Sequence, residues 1–246
     1  MSAPEQTGPD GSSRHGQRLG LVGMVVAVDG TSGSGKSSTC RGVAERLGLS
    51  YLDTGAMFRA VTWWMLEHGV DVHDPEAVAV RCGEPVLVSG TDPGSPTITV
   101  DGRNVAEAIR TDAVNAAVSP VSTVPEVRAR LLEMQRAIIT QHVAAGGIVV
   151  EGRDIGSVVW PRAQVKVYLT ADPGARAARR ALEAGASDIG ATEASLRERD
   201  RIDSGRATAP LTMADGAAHL DTTTYTLDEV IGLLVGLVES AGESAR

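Results

Sequence analysis

Short apolar runs alternate with stretches of helical periodicity along most of the chain. Residues 24–28 (MVVAV) form a Val-rich run of the kind that makes a buried strand, and residues 148–150 and 165–169 repeat that texture. Shorter runs at 49–53 and 217–221 read as two further strands. Between them, residues 37–47 carry Ala and Leu on a helical pattern that stops at Gly48, a residue suited to a helix C-cap. Residues 56–67 place Met57, Ala60, Val61 and Trp64 on one helical face, which assigns the Trp63-Trp64 pair to core packing rather than base stacking. Pro125 suits a first helical position, and Val127, Leu131, Met134, Ile138 and Ile139 carry that helix for roughly five turns. Asp172-Pro173 opens a helix bearing Arg176, Arg179 and Arg180, and residues 192–206 form a charged helix. Thr226-x-x-Glu229 is a capping box ahead of an amphipathic face made by Leu227, Val230, Ile231, Leu234 and Val238.

Apolar strands alternating with helices predict an α/β fold, a doubly wound and mainly parallel sheet with helices on both faces. The texture changes between residues 69 and 102, where Pro75, Pro85, Pro93 and Pro96 interrupt it. Residues 86–89 and 97–100 have β composition around a Gly/Pro turn, so a small β-containing insert is expected there. Residues 104–109 and 112–118 read as short helices, the second ending at Ser119-Pro120. Residues 1–23 are rich in Ser, Gly, Pro and Gln and lack a continuous apolar core. They read as a disordered tail, neither signal peptide nor membrane anchor, ahead of a domain over 24–246.

Composition narrows the function classes. With 42% hydrophobic and 22% charged residues the chain is that of a soluble globular protein, and with 3% aromatics its core rests on Val, Leu, Ile and Ala. A net charge of −8 argues against nucleic-acid or membrane partners while leaving room for a local basic pocket. Lys36 and Lys166 are the two lysines, so nearly all positive charge is arginine. Cys40 and Cys82 lack metal-ligand or C-x-x-C spacing and read as buried free thiols of a cytoplasmic protein.

The candidate chemistry starts directly after the first strand. Gly30, Gly35, Lys36 and Ser37 fit the phosphate-loop pattern G-x-x-x-x-G-K-[ST], with an extra glycine at Gly33. Glycines let several backbone N–H groups converge on phosphate oxygens, and the following helix adds its positive end. Lys36 then reaches the β- and γ-phosphates, and the Ser37 hydroxyl is placed to bind Mg²⁺. Three predicted strands end in polar turns: Asp29-Gly30, Asp53-Thr54-Gly55 and Glu151-Gly152-Arg153-Asp154. In a doubly wound sheet these are expected to converge on one cleft, where a carboxylate holds Mg²⁺ through water and Arg153 clamps a phosphate. On the charged helix, Arg199, Asp203 and Arg206 lie at i, i+4 and i+7 and share a face, either as a solvated surface or as an arm that closes over phosphates.

The stretches GTSGSGKSS, LDTGAMFRA, IRTDAVNAAVS before PEVR, GRDIG and RERDRIDSGR together resemble the bacterial cytidylate (CMP/dCMP) kinases, within the P-loop nucleoside monophosphate kinases. The resemblance runs from Val25 to the C-terminal helix. It implies a P-loop NTPase-type sheet, a monophosphate-binding insert over about 69–124 and a helical lid arm over about 174–206. It also implies that Gly30, Thr31, Ser32, Gly33, Ser34, Gly35, Lys36, Ser37 and Ser38 hold ATP. Arg59, Arg153 and Arg206 would hold the acceptor's 5′-phosphate; Ser119, Arg128 and Asp154 would read cytosine; Thr54, Arg199 and Asp203 would line the nucleoside. Lys36, Arg153, Arg199 and Arg206 are the implied catalytic set, with Mg²⁺ as cofactor, ATP and CMP or dCMP as partners, and a monomeric state. The family usually has Ser at Thr54, Tyr at Phe58 and Asp at Glu151. Phe58 therefore lacks a hydroxyl, and Glu151 is one methylene longer.

Two other functions fit a phosphate loop. A kinase for a small alcohol, such as a sugar acid, would benefit from a carboxylate base and need fewer arginines. A GTP-dependent switch would carry Asn-Lys-x-Asp, and neither lysine here follows an Asn. The arginine-rich set favours a phosphate acceptor.

Overall fold

The computed structural model describes residues 21–184, 188–206 and 209–244. Strands β1 (Met24–Gly30), β2 (Ser50–Asp53), β6 (Gly147–Gly152), β7 (Val165–Thr170) and β8 (Ala218–Asp221) form one sheet in the order β2-β6-β1-β7-β8. Every pairing in it is parallel, with Asp29 opposite Gly152, Asp53 opposite Glu151 and Gly30 opposite Leu169. Side chains of β1 alternate between two cores, Val25 and Ala27 on one face and Met24, Val26 and Val28 on the other. Because both faces are covered, β1 and β6 read as continuous apolar runs.

Helices α1 (Lys36–Leu47) and α8 (Leu227–Ser244) cover one face through Val43, Ala44, Ile231 and Leu234. The capping box of α8 is made as expected: Glu229 Oε2 accepts the Thr226 N–H at 2.8 Å, and Thr226 Oγ1 accepts the Glu229 N–H at 3.3 Å. Helices α2 (Thr54–Glu67), α4 (Asp112–Thr123) and α5 (Pro125–Ala145) cover the other face. Trp64 is buried there and donates from Nε1 to Asp101 Oδ2 at 3.0 Å, which bears out its assignment to the core. Cys40 and Cys82 are buried free thiols, as read from the sequence.

Several local expectations are corrected. Residues 1–20 of the expected tail lie outside the described residues, but Leu21 is buried in the α1/α8 core and the Gly23 N–H bonds to the Gly146 carbonyl at 3.0 Å. The packed chain thus starts before Met24. The insert holds α3 (Pro75–Arg81) and an antiparallel sheet of β3 (Leu87–Ser89), β4 (Ile98–Val100) and β5 (Arg103–Asn104). Asp101 and Gly102 at φ 51° and 78° make a two-residue hairpin that pairs Arg103 with Val100. The expected helix over 104–109 is therefore replaced by the end of β5 and a 3₁₀ turn, Ala108–Arg110.

Helix α4 does not stop at Ser119-Pro120 but runs to Thr123. Its buried stripe Val114, Ala117, Val118 and Val121 outweighs a proline cost of about 3 kcal/mol. The Ser122 and Thr123 hydroxyls then donate to the carbonyls of Ser119 and Pro120, satisfying the last turn. The arm comprises α6 (Pro173–Ala184) and α7 (Ile189–Gly205). The latter starts ahead of the expected residue 192 because Asp188 caps it, accepting from the Ala191 N–H at 2.8 Å.

Candidate functional site

A cleft of about 440 Å³ opens at the carboxyl ends of β2 and β6, beside the loop that follows β1. Its floor is the loop and first turn of α1, from Ser32, Gly33 and Gly35 to Lys36, Ser37 and Ser38. Gly33 and Gly35 sit at φ 78° and 84°, and no side chain among the described residues caps α1, so its leading N–H groups are left for an anion. Lys36 is buried and donates from Nζ to the Thr31 carbonyl at 2.6 Å. Burial first, and the charge of Arg153 next, push its pKa down, while Glu151 opposes them.

Gly30, Thr31 and Ser34 do not line the cleft; they hold the loop in shape. The Gly30 carbonyl accepts from Arg153 Nη1 at 2.9 Å, the Thr31 N–H donates to the Leu169 carbonyl, and the Ser34 hydroxyl donates to the Thr31 carbonyl. At Gly30 a Cβ would stand 2.0 Å from the Leu169 carbonyl oxygen, so β1 and β7 meet only over glycine.

Every other site residue expected from the sequence faces this cleft. Thr54 and Arg59 enter from α2, Ser119 from α4, Arg128 from α5, and Arg153 and Asp154 from the turn after β6. The arm supplies Arg199, Asp203 and Arg206. Arg206 lies beyond the helical face expected of it, at the extended residue that ends α7, yet its Nη1 stays 3.6 Å from Asp203 Oδ1. Arg153 Nε donates to Asp203 Oδ2 at 2.6 Å, while Arg128 pairs with Asp154 and lies 5.4 Å over the Phe58 ring. Arg59 donates to the Asn115 side chain at 2.7 Å and to the Ile109 carbonyl at 3.1 Å.

One expected convergence fails. Asp29 is buried and does not reach the cleft, because its carboxylate accepts the N–H groups of Ile155 and Gly156, both at 2.8 Å. Burial outweighs those bonds and raises its pKa to about 6. The turns after β2 and β6 do converge. Asp53 caps α2 through the Ala56 N–H at 2.9 Å, and Thr54 Oγ1 donates to the Glu151 carbonyl at 2.7 Å.

Among the described residues, nine cationic side chains line the cleft against four carboxylates, Asp53, Glu151, Asp154 and Asp203, in a chain whose net charge is −8. The crowding shows in the arginines. Burial, then neighbouring guanidinium groups, lower Arg59 to about 9 and Arg199 to about 10. Arg41, Arg110, Arg180 and Ser122 also line the cleft and were not singled out as site residues from the sequence. The one signal available was that basic residues here are so predominantly arginine. The arm also touches the loop: Arg176 Nη1 donates to the Ser32 carbonyl at 3.0 Å and pairs with Asp200, whose Oδ1 accepts the Ser32 N–H at 3.3 Å.

For a divalent ion, Ser37 Oγ donates to Glu151 Oε2 at 3.1 Å, which sets a hydroxyl and a carboxylate oxygen side by side next to the loop. Glu151 is buried and also accepts from the Tyr51 hydroxyl at Oε1. Burial first, and Asp53 next, raise the Glu151 pKa, with Lys36 and the two hydroxyls opposing. Among the described residues no cluster of three His, Cys, Asp or Glu forms an all-protein metal cage. Hard oxygen donors in small number suit Mg²⁺, which keeps most of its water and takes the rest of its ligands from phosphate. No helix among the described residues is long and apolar enough to cross a membrane.

The cytidylate kinase family model matches residues 26–240. A cytidylate kinase of Streptomyces griseus subsp. griseus is 57% identical over 216 residues, covering 88% of this chain and 93% of that one. A cytidylate kinase of Rhodococcus opacus (strain B4) is 49% identical over 220 residues, covering 87% of this chain and 94% of that one. Among solved structures, a gluconokinase from Sinorhizobium meliloti 1021 aligns over 92% of this chain and 96% of its own with 17% identity and a TM-score of 0.45.

Proposed function

The chain belongs to the cytidylate kinase family, and on that premise we propose that the cleft carries in-line transfer of the ATP γ-phosphoryl group to the 5′-phosphate of CMP or dCMP, giving ADP and CDP or dCDP. The observation that carries the reading is the convergence of Arg59, Arg153, Arg199 and Arg206 beside Lys36 and the glycine-rich loop. Two polyanions must be brought together here, and only a concentration of fixed positive charge offsets their repulsion.

Residues 30–38 hold the donor's phosphates through backbone N–H groups and Lys36. Arg59, Arg153 and Arg206 hold the acceptor phosphate, and Arg153, Arg199, Arg206 and Lys36 stabilise charge on the transferring group. Ser119 and the Arg128–Asp154 pair read the cytosine edge, with Arg128 kept in place by the Phe58 ring. Thr54, Arg199 and Asp203 line the nucleoside, Asp203 facing the sugar hydroxyls. Ser37 and Glu151 would hold Mg²⁺, which would supply Lewis-acid stabilisation of the donor phosphates. The acceptor phosphate has a second pKa of about 6, so near neutral pH it is largely the dianionic nucleophile and needs no general base.

The residues from about 69 to 124 act as the monophosphate-binding region and those from about 174 to 206 as the lid. The reading includes a cytoplasmic monomer acting on free nucleotides. Net charge −8 opposes a polyanion surface, and the free thiols of Cys40 and Cys82 suit a reducing compartment. An ADP-release assay across CMP, dCMP, UMP, AMP and gluconate tests it. CMP and dCMP are expected to lead; preferred turnover of AMP or gluconate overturns the substrate assignment.

A further inference from the structure

Tyr51 is buried on β2, the edge strand, and its N–H bonds outward to the Thr91 carbonyl of the insert at 2.9 Å. In the parallel register Tyr51 lies opposite Val149 and Asp53 opposite Glu151. Tyr51 and Glu151 are therefore diagonal neighbours on adjacent strands with side chains on the same face, the face that α1 covers. The phenol spans that diagonal, and its hydroxyl donates to Glu151 Oε1. The second oxygen, Oε2, is left to the Ser37 hydroxyl at 3.1 Å.

This geometry answers the problem set by a glutamate at that strand end. A glutamate has one more rotatable bond than an aspartate, and an unrestrained carboxylate there would spread over several orientations. With one oxygen fixed from below by a buried hydroxyl, the other faces the cleft beside Ser37. Supporting bonds of this kind, one step behind the groups that meet a metal, fix the orientation of those groups.

Resting on the phosphoryl-transfer reading above, we infer that Tyr51 is a positioning residue: it pins the long Glu151 side chain so that Oε2 and the Ser37 hydroxyl together meet the hydrated Mg²⁺ of the donor nucleotide. Tyr51 touches neither nucleotide and has no share in reading cytosine. Its contribution is specific to a glutamate at position 151, since an aspartate is too short to bridge the phenol and Ser37.

The test is a cycle of Tyr51→Phe and Glu151→Asp on the full chain, read by Mn²⁺ binding in the presence of ADP, followed by electron paramagnetic resonance. Tyr51→Phe is expected to weaken Mn²⁺ binding about tenfold, while ADP affinity without metal and the KM for CMP stay as in the wild type. In the Glu151→Asp background the same substitution is expected to change Mn²⁺ affinity less than twofold. Unchanged Mn²⁺ affinity in Tyr51→Phe, or an equal loss in both backgrounds, overturns the inference. Should Tyr51→Phe fail to fold, the ring Cζ resonance of Tyr51 carries the test in labelled protein, the chain having three tyrosines. It shifts between wild type and Glu151→Asp if the phenol donates to Glu151, and an unmoved resonance overturns the inference. Failure of the kinase reading is distinguishable, because it shows as absent CMP turnover in the wild type.

Discussion

Asp203→Asn is the sharpest perturbation of the cleft, because it keeps the side chain's shape and removes one charge from among several arginines. The Asp203 side chain is 8% exposed, with Arg153 Nε at 2.6 Å and Arg206 Nη1 at 3.6 Å. Removing one member of a buried pair costs about 3–5 kcal/mol, mostly the penalty of leaving the partner unpaired. The arm offers an escape that a closed core does not, since swinging α7 away returns the arginines to water. The cost is then capped near the lower value, about 3 kcal/mol, and appears as opening of the arm rather than as global unfolding. At 1.4 kcal/mol per decade this is on the order of a hundredfold. Hydrogen exchange is the assay: amides of α6 and α7 are expected to exchange about a hundredfold faster, with β1 and β6 unchanged.

The pH dependence follows from Asp203's own pKa. Burial acts to raise it, but Arg153's charge and hydrogen bond, then Arg206 and Arg199, hold it below the ordinary carboxylate value. A lowered native pKa means that the stabilisation is fully present above the unfolded value of about 4 and fades as pH falls through the native one. The difference between variant and wild type is therefore flat from about pH 6 to pH 8 and shrinks only in acid below about pH 4. Unaltered exchange in the arm, or an equal rise in β1 and β6, would refute the claim that this ion pair docks the arm.

Lys36→Met is expected to lower turnover about 10²- to 10³-fold with the thermal midpoint unchanged or raised, because burial already disfavours the ammonium charge; steady-state kinetics beside a melting curve checks both halves. Thr226→Ala removes the capping box of α8 and is expected to cost about 1 kcal/mol, a fall of roughly 2–4 °C in a domain of this size. Its CMP turnover stays at the wild-type level, and a large loss of activity would contradict a purely local role.

Strands, most helices and the phosphate loop were legible because each is written in a single stretch. The run 24–28 and the spacing Gly30 to Ser37 need no distant partner to be read. What was missed depends on pairs far apart along the chain. Asp29 looks like any polar strand end until the N–H groups of Ile155 and Gly156, more than a hundred residues on, claim its carboxylate. Tyr51 reads as one more apolar strand residue, and only parallel pairing of β2 with β6 brings its hydroxyl to Glu151. Pro120 is a local stop signal overruled by a buried stripe, the usual way that packing defeats propensity. Arg206 lines the cleft with the other expected residues, but not from the helical face expected of it, since α7 ends one residue before it.

The approach of the Leu169 carbonyl to Gly30 changes what that glycine testifies to. A methyl group there would collide with the neighbouring strand whether or not a nucleotide ever arrived, whereas one at Gly35 would meet no atom within 4 Å. Two letters of the same fingerprint thus answer to different masters: the first is demanded by the seam between two strands, the second by the left-handed bend that turns the chain into α1. A descendant that lost its catalytic role but kept its sheet and α1 would still carry Gly30, and any other residue at Gly35 would be strained at φ 84° for as long as the chain bends into that helix. Neither glycine alone is therefore a witness to a living nucleotide site, since each is already held by the backbone around it.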